Sequence, residues 1–306
     1  MTINAKLSTF AGLPIVAWDS EETPADPASV AWRLELEEFD ADAAEFERAF
    51  EELLKRTGEG GPVALVVGEW GEAYERSFPV DLLVRNAARL GRLRSLFAAE
   101  LTFEQCEISW IKQADLTPLL EAFPQLEALW VRGADGLVLR PLRHEGLREL
   151  VLQSGGLPVE VVRAVGASDF PRLSRLELWL GVDNYGGDAR ADDLVPILAG
   201  RALPALTSLG LRNAEIADEV AAALASAPVV ARVAELDLSM GALSDAGGEA
   251  LLAGQPLTHL KSLDLSHHFL SEELAQRLVE ELPGVRVDVS DRQQEEEWGR
   301  YTAVAE

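Results

Sequence analysis

Three groups of side chains have the types and spacing from which chemistry could be built. The first is acidic. Asp183, Asn184, Asp188, Asp192 and Asp193 fall within eleven residues, broken by Gly186 and Gly187. Hard cations such as Ca²⁺ take oxygen ligands of this kind. No known ligand spacing is matched, so the segment reads first as a solvated loop whose glycines serve turns. The second group is imidazole: His267 and His268 are adjacent, with His259 close in sequence. Imidazoles hold transition metals. Adjacent residues of a strand point to opposite faces, however, so His268 is read as bonding backbone at a turn and no metal ligand is assigned. The third is Cys106, the single cysteine. One thiol excludes an intramolecular disulfide and a Cys-based zinc site. No histidine or other base is near it in sequence, which makes it a small buried hydrophobe rather than a nucleophile.

The familiar catalytic signatures are missing. There is no G-x-S-x-G, P-loop, H-E-x-x-H or EF-hand spacing in the chain. No catalytic residue, metal or cofactor is therefore expected, and the chemistry to look for is recognition.

The elements that must position a recognition surface come from an internal repeat. Leu-x-x-Leu-x-Leu recurs at Leu147/Leu150/Leu152, Leu173/Leu176/Leu178, Leu206/Leu209/Leu211 and Leu260/Leu263/Leu265. Looser copies stand at Leu93/Leu96/Ala98, Leu126/Leu129/Val131, Val233/Leu236/Leu238 and Leu282/Val285/Val287. Ten residues after Leu206, Val233 and Leu260 come Ile216, Leu243 and Leu270, then Val220, Gly247 and Leu274, then Leu224, Leu251 and Leu278. Steps of four mark one helix face, so each 27-residue unit reads as strand, loop, helix. One such unit cannot bury its own apolar residues, and stacking buries them in a continuous core.

The spacing predicts an α/β solenoid, a horseshoe of about 8–10 repeats with a parallel concave sheet and convex helices. Residues 1–60 read as an N-terminal capping region, 61–290 as the solenoid, and 291–306 as an acidic flexible tail. Trp32–Leu36 and Val63–Val67 read as strands, Ala43–Leu54 as a helix, and Ser20–Ala28 as a surface loop. Thr117-Pro118 and Asp193 open helices that Pro124 and Gly200 close. The unit from Leu126 to Leu147 is too short to hold a full helix.

In that frame the residues between and after the paired leucines face the concave side. Phe97, Trp130, Arg132 and Trp179 fall on the first half of the arc, with Arg212 beyond them. Aromatics and Arg are the types that anchor interfaces, although aromatics in such positions also pack under neighbouring loops. The two 33-residue units insert loops, one carrying Trp110 and the other Asp183 and Tyr185. These eight residues are the candidate partner-binding set.

The formal net charge of −25 repels phosphate backbones and anionic membranes. It favours a basic or neutral protein partner and keeps a long solenoid soluble. No apolar run approaches the ~20 residues of a membrane span. The start, Met1-Thr2-Ile3-Asn4-Ala5-Lys6, lacks a basic stretch before an apolar core, so a cytoplasmic protein is expected. Only four of the 27 basic residues are Lys, a bias seen in high-GC bacterial proteomes.

Leu236-Asp237-Leu238-Ser239 and Leu263-Asp264-Leu265-Ser266 resemble the ribonuclease-inhibitor-like branch of leucine-rich-repeat proteins. Ala64–Gly68, Cys106–Ile111 and Leu178–Asp188 are similar to an uncharacterised actinobacterial leucine-rich-repeat family. The resemblance covers roughly residues 62–290 and implies a binding scaffold, with no catalytic residues to carry over. The turn asparagine of many such repeats is replaced here by Ala214, Gly241 and His268. The leading reading is a non-enzymatic scaffold for a protein or peptide partner, acting as a monomer or as a subunit of a complex. The alternative is a small-molecule or metal-dependent enzyme site built by the loops at 103–110 and 182–193.

Overall fold

The computed structural model describes residues 3–22, 24–38 and 40–306. Met1, Thr2, Thr23 and Phe39 lie outside these, and so do the parts of the leader and loop readings that fall on them. The chain forms two compact units, one mainly of residues 2–139 and 144–150, the other mainly of residues 140–143 and 151–305.

The first unit contains β1 (Thr9–Phe10), β2 (Leu13–Ala17), β3 (Ala31–Leu34), α1 (Ala43–Thr57), β4 (Ala64–Val67), α2 (Val80–Arg85), β5 (Ser95–Ala98), α3 (Thr117–Ala122) and β6 (Ala128–Arg132). β1 and β2 form an antiparallel hairpin, and β2 to β6 are parallel in chain order. Helix α1 forms where the sequence predicts it. Phe46, Phe50, Leu53 and Leu54 bury its one apolar face, and the Asp42 carboxylate accepts from Glu45 N to cap its start. Trp32 and Leu34 pair with Leu65 and Val67, so the parallel sheet already includes residues before 60.

β7 (Glu149–Gln153) falls at the division. The second unit continues with α4 (Val159–Ala167), β8 (Arg175–Gly181), α5 (Val195–Ala199), β9 (Ser208–Ala214), α6 (Ala217–Leu224), β10 (Glu235–Asp237), α7 (Asp245–Ala253), β11 (Ser262–Asp264), α8 (Glu272–Glu281) and β12 (Arg286–Asp288). β8 to β12 are parallel and in chain order. Both units are thus α/β, with mostly parallel sheet and strands joined by crossovers. The core columns are leucines. Leu176, Leu209, Leu236 and Leu263 stand in register, each the second residue of its strand, and are fully buried. Between Arg132 and Glu149 there is no helix, as the short unit there requires.

Two expectations change. The last strand is shifted by two residues. Val287 pairs with Leu263 and Asp288 with Asp264, so the final copy centres on Val287 and the match Leu282/Val285/Val287 is out of register. The backbone explains why. Gly133, Asn213, Met240, His267 and Asp291 all take left-handed φ, from 52° to 86°, four residues after the second residue of their strand, and the turn fixes the register. The tail also differs from a frayed, solvated one. Thr302 and Val304 are buried, and Val304 N donates to Asn213 Oδ1 at 3.0 Å.

Candidate functional site

The strand residues that alternate with the core leucines form the helix-free face of each sheet. On the first unit this face is covered by the chain itself. Phe10 lies among Ala31, Ala64, Val66 and Phe97, with Trp130 packed beside them. The rings of Phe10 and Trp130 meet edge to face at 5.6 Å. Phe97 is fully buried, and Trp130 is half-buried, its indole N–H donating to Glu149 at 3.3 Å. Arg132 is also buried, stacked over Phe97 and donating to Leu101 O. Burial lowers its pKa to about 10, against the pull of Glu100. Trp179, in the second unit, is buried as well. Of these four, Phe97, Arg132 and Trp179 are buried and Trp130 is half-buried, so the chain's own packing takes up most of the area expected to stand exposed.

On the second unit the face is open and polar. A cavity of about 400 Å³ lies over β8 to β12, lined by Arg175, Glu177, Ser208, Glu235, Asp237, Ser262, Asp264, Arg286 and Asp288, with Gly210 in the floor. Five carboxylates there face two arginines. Three of the carboxylates are held by one local device. Asp237, Asp264 and Asp288 each accept from the backbone N–H two residues on, at Ser239, Ser266 and Ser290, over 2.9, 2.9 and 3.0 Å. An Asp side chain closing such a turn is held in one orientation. Parallel neighbours lie ~4.8 Å apart, so the three form a ladder across β10, β11 and β12.

Arg212 closes one end. It lies 5.4 Å over the Trp179 ring and donates to Glu177 Oε1 at 3.0 Å and to Ser239 Oγ at 2.9 Å, with its Nε 3.2 Å from Asp237 Oδ2. Burial opposes ionisation of Glu177, but Arg212 and Arg175 outweigh it and hold the carboxyl below its usual value. Asp237 goes the other way. Burial raises its pKa, and Asp264 adds to the rise against the pull of Arg212. The register partners of Arg212 in the next two repeats are Ser239 and Ser266, so no arginine of this column follows the ladder further.

The inserted loops are ordered by their own contacts. Asp188 Oδ1 accepts from Val159 N at 2.8 Å at the start of α4, and Asp193 binds Arg163 Nε and Arg190 N, each at 2.8 Å. Gly181, at φ 71°, and Gly156 form a bridge so close that a Cβ on either would strike backbone. Asp183 is exposed and Tyr185 half-buried. In the other loop Trp110 is 56% exposed. Cys106 is half-buried, and burial, with Glu69 and Glu107, pushes its thiol up to about 12. It is not a thiolate at neutral pH. The ring of His268 is buried, its Nδ1 accepting from Leu270 N while Nε2 faces Val289 O at 2.9 Å. Among the described residues no group of three or more His, Cys, Asp or Glu is placed to hold a metal. None of their helices is long and apolar enough to cross a membrane.

None of the eight expected binding residues lines the open cavity; Arg212 and Trp179 reach its wall through Glu177, and the acidic ladder was missed. Its signal is in the sequence: Asp-x-Ser recurs at 237/239, 264/266 and 288/290, and it also marks the true register of β12.

No protein-family model and no curated protein matches the sequence. Among solved structures, the chain is similar to a structural-genomics crystal structure of a protein from Bacteroides fragilis, at 30% identity and a TM-score of 0.77. The likeness covers 88% of this chain and 77% of that one.

Proposed function

We propose that this chain, which shares its fold with the Bacteroides fragilis protein, is a cytoplasmic leucine-rich-repeat solenoid of the ribonuclease-inhibitor-like type. On this reading it is a non-enzymatic scaffold that binds a basic segment of a partner protein on the helix-free face of β8 to β12. One observation carries the proposal: an open cavity of about 400 Å³ in which carboxylates fixed in a ladder outnumber the arginines. The inner face of a stacked-repeat protein is its usual binding surface. Arg212 shows what the ladder accepts. It is a guanidinium bound by two carboxylates and a hydroxyl and backed by an aromatic ring, and a partner arginine at Asp264 and Asp288 would find carboxylates of the same kind without the ring. The loop-built enzyme has less support, because Asp188 and Asp193 are engaged at helix starts and the Cys106 thiol is protonated.

The test is a fluorescent extended peptide with arginines at alternate positions, titrated by anisotropy in 50 mM salt. Asp264→Asn with Asp288→Asn should weaken binding at least tenfold. The same two changes made among exposed carboxylates of α8, Glu273 and Glu280, should leave it within twofold. Equal losses from both pairs would mean that the peptide reads net charge and not this site.

A further inference from the structure

The N-terminal residues covering the first unit are held in a way that a cap does not need. We propose that Lys6–Phe10 is a tethered occupant of a peptide-binding groove on the helix-free face of β3 to β6. The groove accepts in exchange an extended peptide with an aliphatic residue followed three positions later by an aromatic.

Leu7 is gripped by its main chain on both polar groups. Its N–H donates to Glu100 Oε1 at 2.5 Å, and its carbonyl accepts from Arg33 Nη2 at 2.7 Å. Those two side chains are themselves a fork: Arg33 Nε donates to Glu100 Oε2 at 2.7 Å, and Nη2 to Oε1 at 3.1 Å. The Glu100 side chain is 1% exposed and that of Arg33 14%. A buried ion pair is weak support for stability, since apolar residues of the same size often stabilise as much or more. Its distinct capacity is to read an N–H and a C=O together, as peptide grooves do.

Three residues on, Phe10 fills an apolar slot floored by the small side chains of Ala31 and Ala64, with ring centroids 6.0 Å from Phe97 and 5.6 Å from Trp130. Ser8 and Thr9 between them are exposed, so the groove does not read their side chains. The segment's own secondary structure is slight. β1 is two residues long and turns through Ala11 and Gly12, both at left-handed φ. The groove itself grips by one main-chain clamp, one aromatic slot and the ion pair of Lys6 with Glu35, while the tether adds the β1–β2 pairing and a hydrogen bond from Ile15 N to Ser8 O at 3.0 Å. Any peptide with the aliphatic and aromatic spacing presents the same groups to the clamp and the slot. The tether acts as a competitor at roughly millimolar effective concentration, which keeps free peptide out until the arm is displaced.

The experiment uses the full chain and a fluorescein-labelled peptide of residues 3–12. Phe10→Ala in the protein weakens the arm, and the labelled peptide should bind this variant at least tenfold more tightly than the unmodified chain. A second peptide, N-methylated at the Leu7 nitrogen, cannot donate to Glu100 and should bind at least tenfold more weakly than the first. The proposal is overturned if folded Phe10→Ala protein, judged by circular dichroism, binds no better than the unmodified chain. It is equally overturned if methylation changes nothing. Should Phe10→Ala not fold, a protease site placed between Ala11 and Gly12 is cut in the folded chain. Replacement of the cut arm by labelled peptide then supports the groove, and an arm that never exchanges overturns it.

Discussion

At the scale of single residues, several buried polar side chains sit where backbone groups need partners. Asn213 is the sharpest case. It is fully buried, holds φ 52°, donates from Nδ2 to Ser154 O and Val304 O, and accepts from Val304 N. Asparagine tolerates the left-handed region that most residues avoid. Asn213→Ala should cost about 3 kcal/mol, from lost hydrogen bonds and from backbone strain. Denaturant titration checks it, and a loss under 1 kcal/mol would show that the tail does not depend on this clamp. His144 and His268 make a second prediction. Each accepts a backbone N–H at Nδ1, from Leu147 and Leu270, and faces a carbonyl with Nε2, so each is held neutral. Burial is the main cause that lowers both pKa values. The unfolded chain then takes up protons that the folded chain resists, so stability is full above pH 7 and falls as pH drops through the unfolded value near 6.5. The carboxylates held low, such as Glu177, titrate below this window. The melting temperature should drop by roughly 2 °C or more between pH 7.5 and 5.5, and His268→Asn should reduce that drop. A flat profile in the unmodified chain would refute it.

At the scale of elements, repeats are stitched by carboxylates that cap the helix of the next repeat. Asp218 in α6 accepts from Ser244 N at 2.7 Å and Gly247 N at 3.2 Å, at the start of α7. One repeat on, Asp245 in α7 accepts from Ser271 N at 2.6 Å, at the start of α8. Donors and acceptors both step by 27 residues. A lost cap costs about 1 kcal/mol. Asp245→Ala should therefore cost about 1 kcal/mol. Asp218→Ala should cost more, because Asp218 also accepts from Ser244 Oγ at 2.6 Å and Arg300 Nη1 at 2.8 Å. Hydrogen exchange should quicken at the first amides of α8 in one variant and of α7 in the other, and loss spread evenly over the unit would contradict local capping. This ladder shows where sequence reading succeeds. Strands and helices with a strict apolar period were legible from Leu206 to Leu278, and α1 was legible from one buried stripe. The last strand was not, because Leu282, Val285 and Val287 satisfy a hydrophobic template equally well two residues out of step, and only the polar Asp288-Val289-Ser290 distinguishes the registers. Phe97 and Trp130 lie with Phe10 in one cluster on the face that alternates with the core leucines. What covers them was illegible, since Phe10 reaches Phe97 and Trp130 across more than 80 residues with no local pattern to announce it.

At the scale of the whole molecule, the dominant quantity is the net charge of −25. Like charges at that density repel within the folded state and favour expansion, while a basic partner is drawn in over several ångströms. Salt acts on both, with a screening length of ~10 Å at 0.1 M and ~30 Å at 0.01 M. The two effects have opposite signs. Between 10 and 200 mM NaCl the chain alone should gain stability as self-repulsion is screened, read as a rise in the urea midpoint. Over the same range the arginine peptide should bind more weakly, by tenfold or more. Acid should weaken it as well, and earlier than an ordinary aspartate would allow. Asp237 has its pKa raised, first by burial and then by Asp264, so it takes up a proton while a normal aspartate is still charged. Its attraction for a cation is complete well above that pH and fades as pH falls through it. Asp237→Asn should bind more weakly at pH 7, and its affinity should change less as pH falls from 7 toward the ordinary aspartate value of about 4 than that of the unmodified chain. If affinity rose with salt, or if Asp237→Asn kept the full acid dependence, the attraction would not come from this ladder, and the open face of β8 to β12 would lose its claim to be the working surface.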